Sequence, residues 1–363
     1  QTRNFCSATS VILTLHKQLG FLGQGYQKII GTYNDHVARL FPRDTAIAYF
    51  DCTNFFFEID SEDGLRKKGP SKENRHDPIV RVGLLLDGDC IPLGMSIYPD
   101  NESEKPQIRQ VVGELKKRGT IQGKTIRVAD KGLNCADNIA DCVLAGDGYL
   151  FSKSVKQLGA LIGLGAINEG FKAVVGDFAY KVTGQDGKKK EVALKEKRAV
   201  TYNPRLARKQ LAEIARKVEK TRRCAGYNTI ITSETDMDAQ AIYATYHRLW
   251  RIEESFKTMK SELDARPVYL QKQDTITGHF LVCYLAVLLI RILQVKILKG
   301  TYSTEDIMGL VKHFRIVGIS ERRYVNISRS SSLIDELEKR TGAPLTNYYL
   351  TKPQVDSIIN ARF

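Results

Sequence analysis

A mixed β-sheet with helices on both faces is the α/β fold that this 363-residue sequence predicts. Three observations predict it. Runs rich in β-branched and aromatic residues recur through the first two-thirds of the chain. The first three runs follow one another directly, and the later ones alternate with helical patterns. Each helical pattern carries its own start and stop signals.

Taken in order, residues 7 to 40 read as helical, with a glycine-rich interruption at "GFLGQG". Thr45 to Ile59, "TAIAYFDCTNFFFEI", contains neither Pro nor Gly and reads as a strand with Asp51 inside it. "PIVRVGLLLDGDCIPLGMSIYP" reads as two strands joined at Asp87-Gly88-Asp89. "SEKPQIRQVVGELKKRG" has a Ser cap, an early Pro and a closing Gly, the punctuation of a helix. Thr125 to Ala129 is a short strand ending at Asp130; "CADNIADCVLAG" is a helix and "GYLFSKSV" a strand. Residues 171 to 203 read as a small antiparallel patch, followed by the basic helix "PRLARKQLAEIARKVEKTRR" and the strand "YNTIITS". A long helix is expected from about Asp236 to Leu263. Three strands, then helix, strand, helix, strand, an insertion, strand and helix is the order of ribonuclease H-like folds. The expected segments are 1–44, helical; 45–155, first part of the core; 156–225, a mostly β, basic insertion subdomain; 226–300, second part of the core; and 301–363, a C-terminal segment.

Net charge is +14 and 42% of residues are hydrophobic, so the chain can bury a core and a polyanion is the first partner to consider. The seven cysteines are scattered, with no C-x-x-C pair, which argues against a zinc ribbon or a disulfide framework and fits a reducing compartment. The longest apolar run, Phe280 to Ile290, is too short to span a bilayer and reads as a core helix, so no membrane partner is expected. No signal-peptide pattern is visible. The chain opens at Gln1 without a Met, so further residues are expected upstream.

In "TYHRLWRIEESFKTMKSEL", Tyr246, Glu253 and Lys260 are seven residues apart. A seven-residue step on a helix drifts by roughly 20°, so the three form one polar stripe. Leu249, Ile252, Phe256 and Met259 form an apolar stripe beside it. Two further acids stand out. Asp51 interrupts an apolar strand, where a carboxylate needs a partner, and Thr53 shares its face. Asp130 follows a buried strand; taken singly, it also suits a turn residue. Three acids from these elements can converge at one sheet edge to hold two divalent metals roughly 3.5–4 Å apart for displacement at phosphorus. Hard oxygen ligands suit Mg²⁺ or Mn²⁺.

These motifs resemble the DDE transposases of bacterial insertion sequences, in the insertion-sequence-four group. That group has a Tyr-x-x-Arg-x-x-x-Glu-x-x-x-x-x-x-Lys signature, on which Tyr246, Glu253 and Lys260 fall. "YFDCTNFFFE" resembles the family's first-Asp strand, "VADKGLNCADNI" its second-Asp segment, and "RPVYLQKQDTITGHFLVCYLAVLLIRIL" the helix that follows. The similarity runs from about residue 45 to residue 295. It implies a ribonuclease H-like fold with a β insertion, with Asp51, Asp130 and Glu253 as catalytic metal ligands for Mg²⁺ or Mn²⁺. It also implies double-stranded DNA partners, namely terminal inverted repeats and target DNA. A homodimer in the synaptic complex and a cytoplasmic, nucleoid-associated bacterial location follow from the same resemblance.

Tyr246 and Lys260 are expected on DNA phosphates. The signature Arg position is Leu249, and Lys257, near the polar stripe, is expected to supply part of the missing charge. Trp250 is either a core aromatic or a base-stacking residue. Lys188, Lys189, Lys190, Arg205, Arg208 and Lys209 belong to basic segments suited to phosphate contacts, or else to solvated faces. His279 reads as a core histidine. Two other functions compete with an active transposase: a retired one that only binds DNA, and a metal-dependent nuclease of the same fold.

Overall fold

The computed structural model describes residues 8–59, 61–68, 77–155, 171–183, 188–213, 224–266 and 268–362. The chain divides into two compact units, Gln1–Tyr284 and Leu285–Phe363.

In the first unit, helices α1 (Ala8–Gln24) and α2 (Tyr26–Leu40) precede strand β1 (Ile47–Phe56). β2 (Ile79–Leu86) and β3 (Pro92–Pro99) follow as an antiparallel hairpin, with the expected turn at Asp87-Gly88-Asp89 between them. Then come α3 (Lys105–Lys117), β4 (Ile126–Ala129), α4 (Ala136–Leu144) and β5 (Gly148–Lys153). β1, β4 and β5 are parallel neighbours, while β2 lies antiparallel on the other side of β1. β6 (Phe171–Thr183), β7 (Lys189–Tyr202), α5 (Pro204–Glu213) and β8 (Tyr227–Thr232) complete this part of the chain. Among the described residues these strands form one eight-stranded mixed sheet, ordered β3-β2-β1-β4-β5-β8-β7-β6.

Alternation along β1 sorts its side chains between two layers. Ala48, Phe50 and Cys52 join a core with Ile108, Val112 and Leu115 of α3 and Ile139 and Cys142 of α4. Tyr49, Asp51, Thr53 and Phe55 face the opposite side. There Phe55 packs on Phe280 at a centroid distance of 4.6 Å. Phe280 belongs to α8 (Gln273–Arg291). This helix meets α1 at very close range: a Cβ on Gly23 would lie 1.8 Å from the Asp274 carbonyl oxygen, and one on Gly278 2.0 Å from that of Leu19.

The expected single helix from Asp236 to Leu263 is broken. It starts at α6 (Ala239–His247), capped by Asp238, whose side chain accepts the Ala241 N–H at 2.7 Å. Arg248 and Leu249 then form a tight turn, after which α7 (Trp250–Lys257) runs into a π-helical turn, Thr258–Glu262. The N–H groups of Leu249, Arg251 and Ile252 each bond three residues back, at 3.0 Å. The reason is tertiary. Tyr246 is held on β5 and Arg248 faces β1. Residues two apart diverge by roughly 160° on an α-helix but by roughly 120° at three residues per turn. The tightened turn lets both side chains reach the sheet.

The helix that holds the apolar run Phe280–Ile290 continues over Gln273–Ile297. At 25 residues it is long and apolar enough to cross a membrane by length and composition, and half of its most apolar window is buried within the protein. Among the described residues the six cysteines are free thiols, as their scattered spacing predicts.

The second unit holds α9 (Thr304–His313), β9 (Ile316–Ser320), β10 (Arg323–Asn326), α10 (Ser332–Thr341), β11 (Tyr349–Thr351) and α11 (Lys352–Ile359). Its strands make a separate antiparallel sheet, ordered β11-β10-β9. Ile307, Leu333, Ile334 and Leu350 are buried residues of this unit.

Candidate active site

β1 is longer than β4, and their parallel pairing stops at Phe50 with Ala129. One step further, Asp51 and Asp130 become neighbours where the strands part. Ligand sites in open α/β sheets form at such carboxyl ends. Asp51 stays in β1 because β2 still pairs it, opposite Leu84. Its Oδ1 accepts the Cys52 N–H at 2.7 Å. Asp130 begins a turn, and its Oδ1 accepts the Gly132 N–H, also at 2.7 Å. Ser152 is one residue beyond the β5 partner of Ala129, on the far side of Asp130. Its carbonyl accepts the Asn134 Nδ2–H at 2.8 Å, which fixes the loop after Asp130 against β5.

Tyr246 reaches this point from α6. Its phenol lies near the Ser152 side chain, which works to lower its pKa. Burial has the larger effect and raises it above the ordinary phenol value. The negative charges of Asp130, Asp51 and Glu253 push it the same way. One hydroxyl therefore lies in the field of all three acids. Glu253, on the first turn of α7, is exposed to solvent. Lys260, in the π-helical turn, donates to Thr53 Oγ1 at 2.8 Å, with its ammonium 5.3 Å from the centre of the Phe55 ring. It is thereby tied to β1 two residues beyond Asp51. Single π-turns are frequent at functional sites.

The expected donor set is three carboxylates, the hard oxygen ligands that would suit Mg²⁺ or Mn²⁺. Among the described residues no three His, Cys, Asp or Glu side chains stand close enough to form a ready-made metal cage. All three acids act electrostatically on the Tyr246 phenol, and an oxygen of each aspartate is held by backbone.

The other expected residues are more dispersed. Trp250 is 44% exposed, which removes the core-aromatic reading, and the Arg251 guanidinium stacks over its ring at 4.0 Å. Arg251 also pairs with Glu254 at 2.9 Å. Lys257 is exposed on α7. Arg248, which regular helix geometry directs away from the stripe, faces the Tyr49 hydroxyl on the Asp51 side of β1. Arg205, Arg208 and Lys209 are exposed on α5. This helix leaves the sheet at the carboxylate end, because Tyr202 pairs with Tyr227 beyond Lys153. Lys188, Lys189 and Lys190 are exposed where β7 begins, roughly 40 Å of strand from Tyr202. The structure does not bring them to the acids. The rest of that basic stretch, 214–223, lies outside the described residues. His279 accepts its expected place: burial lowers its pKa, and its Nε2 lies 3.2 Å from the Ala265 carbonyl oxygen.

Sequence reasoning missed Ser152, Gly132 and Asn134. "VADKGLN" places Gly132 and Asn134 just after the acid, a turn signal that marks the loop without assigning its bonds.

No curated protein matches this chain. A family model described as "Transposase DDE domain" matches residues 56–289, a span that includes Asp130 and Glu253 and begins just after Asp51. The match covers more than half of the chain, and the chain belongs to the DDE transposase family.

Proposed function

We propose that this protein is a cut-and-paste transposase of the insertion-sequence-four group. A transposase domain implies DNA as substrate. The substrates proposed here are the terminal inverted repeats of its own element and target DNA. The observation that carries the reading is the Tyr246 phenol lying in the field of Asp130, Asp51 and Glu253 together.

Asp51, Asp130 and Glu253 would hold Mg²⁺ or Mn²⁺. Bound there, the metal supplies Lewis-acid polarisation of phosphoryl oxygen and a more acidic water or hydroxyl. The chain's own residues position the reactants. The backbone N–H groups of Cys52 and Gly132 fix the two aspartates. Tyr246 and Lys260 grip the phosphates of the DNA end, which runs along α7. The exposed Trp250 ring offers a surface for stacking on an unpaired base. In joining, a 3′-hydroxyl oxygen bonds to the target phosphorus as the bond to the leaving 3′-oxygen breaks; the attacking hydroxyl gives up a proton to solvent and the leaving 3′-oxygen takes one from it, so that one 3′-hydroxyl is consumed and one released.

Strands β6 and β7 with α5 stand in the chain where the resemblance implies a β insertion, and we read them as that insertion, built onto the main sheet. Two copies hold the two ends in the synaptic complex, within the nucleoid of a bacterial cytoplasm.

The test is incubation of the protein with Mg²⁺ and DNA carrying the element's ends. Nicked ends followed by strand-transfer product are expected. Nicked product that is never joined would favour a nuclease, and bound but uncut DNA a retired transposase.

A further inference from the structure

Strand β2 runs on where β4 stops. β1 stays paired with β2 out to Phe56, opposite Ile79, past the point where its pairing with β4 ends. Arg81 of β2 lies opposite Asn54 and so shares the face of Cys52, on the α3 side of the sheet. Its guanidinium takes two acids at once. Nε donates to Asp100 Oδ1, on a fully buried carboxylate just after β3, and Nη1 donates to Glu104 Oε2 at 3.2 Å. A planar fork suits this double contact. Glu104 immediately precedes α3, where an acid ordinarily serves the helix terminus. Here its side chain makes no capping hydrogen bond. Its other oxygen meets the loop after β4: a Cβ on Gly132 would lie 2.5 Å from Glu104 Oε1 and 3.2 Å from Asp130 Oδ1. Two carboxylates thus stand beside one glycine. The same charges act on β1. Burial raises the Cys52 thiol pKa, the charges of Asp51 and Glu104 add to the rise, and Arg81 opposes it.

We propose that Glu104, held by Arg81, is a positioning residue for Asp130, and that its charge helps to retain the divalent cation expected there. The inference rests on the metal-dependent transposase reading. Like charges this close repel each other. The Gly132 N–H holds Asp130 and Arg81 holds Glu104, so the two acids are kept together against that repulsion. The charge of Glu104 then favours a cation at Asp130 from outside the ligand set. Arg81 plays two opposed parts. Its own charge disfavours a nearby cation, while its fork fixes the acid that favours one. Arg81→Lys keeps the charge and removes the fork, so it separates positioning from electrostatics.

The experiment titrates the full chain with Mn²⁺ alone, following free Mn²⁺ by electron paramagnetic resonance, with circular dichroism to confirm folding. Asp130→Asn marks the binding that belongs to this site. Glu104→Gln keeps the shape and loses the charge, and its Mn²⁺ dissociation constant should rise about tenfold. Arg81→Lys should raise it about threefold. In cleavage of the element's ends, Glu104→Gln should need more Mg²⁺ for half-maximal rate. At saturating Mg²⁺ it should reach the wild-type rate, with end binding unchanged. Wild-type Mn²⁺ affinity in Glu104→Gln, beside a loss in Asp130→Asn, would overturn this inference alone. Wild-type affinity in Arg81→Lys would overturn the positioning by Arg81. A rate that saturating Mg²⁺ fails to restore would also overturn the inference, and would place Glu104 at the reacting atoms. Mn²⁺ binding that Asp130→Asn leaves unchanged would overturn the metal-site reading and this inference with it.

Discussion

Asp130 depends on a residue that brings no functional group of its own. Gly132 donates its N–H to Asp130 Oδ1 at 2.7 Å, and a Cβ there would lie 2.5 Å from Glu104 Oε1 and 3.2 Å from Asp130 Oδ1. Glu104 is in turn held by Arg81 at 3.2 Å. Gly132→Ala must therefore move one carboxylate or both. We expect DNA cleavage to fall about tenfold with end binding retained, since displacement of a catalytic group by under 1 Å costs on this scale. Gel-shift and cleavage assays on one DNA separate the two readouts. The signature arginine gives a second prediction. Leu249 supplies no charge, Arg251 is engaged by Glu254 and Trp250, and Arg248 and Lys257 are exposed cations near the polar stripe. Lys257→Ala and Arg248→Ala should weaken transposon-end binding more than Arg251→Ala does. Equal losses across the three would remove this assignment. Asp51, Asp130 and Glu253 stand out in the sequence as candidates because each breaks a local pattern or falls on a recognisable spacing. Ser152 was not, since nothing in "YLFSKSV" says which serine meets a tyrosine 94 positions later.

At the scale of elements, periodicity gave the strands of the core and most helices within a few residues, because each shows an uninterrupted pattern bounded by turn residues. It missed the break at Arg248 and Leu249. Neither residue is a helix breaker; the turn tightens because Tyr246 and Arg248 both point to the sheet. The glycines of "GFLGQG" were read as an interruption. The kink does fall near Gly25, but Gly23 serves instead to let α1 touch α8 backbone to backbone, opposite Gly278. Gly278→Ala places a methyl where the Leu19 carbonyl stands. Overpacking of this kind costs about 1–3 kcal/mol. Chemical denaturation should show that loss, with Asp51, Asp130 and Glu253 untouched. A midpoint equal to wild type would mean the two helices sit further apart.

For the whole molecule, one sheet joins functions that lie far apart in sequence. β1 carries Asp51, Asp130 follows β4, Ser152 of β5 lies near Tyr246, and α7 carries Glu253, whose charge acts on the same phenol. The basic character that first suggested a polyanion is unevenly placed: α5 leaves the sheet at the carboxylate end, whereas Lys188 to Lys190 begin the distant end of β7. Composition reveals the charge but not this separation. The measurement that tests the account most directly compares wild type with Glu253→Gln for Mg²⁺-dependent cleavage and strand transfer on the element's ends, with DNA binding measured in parallel. The account predicts that the variant loses both reactions and still binds DNA. Equal activity in the two proteins would contradict it and place the active site elsewhere.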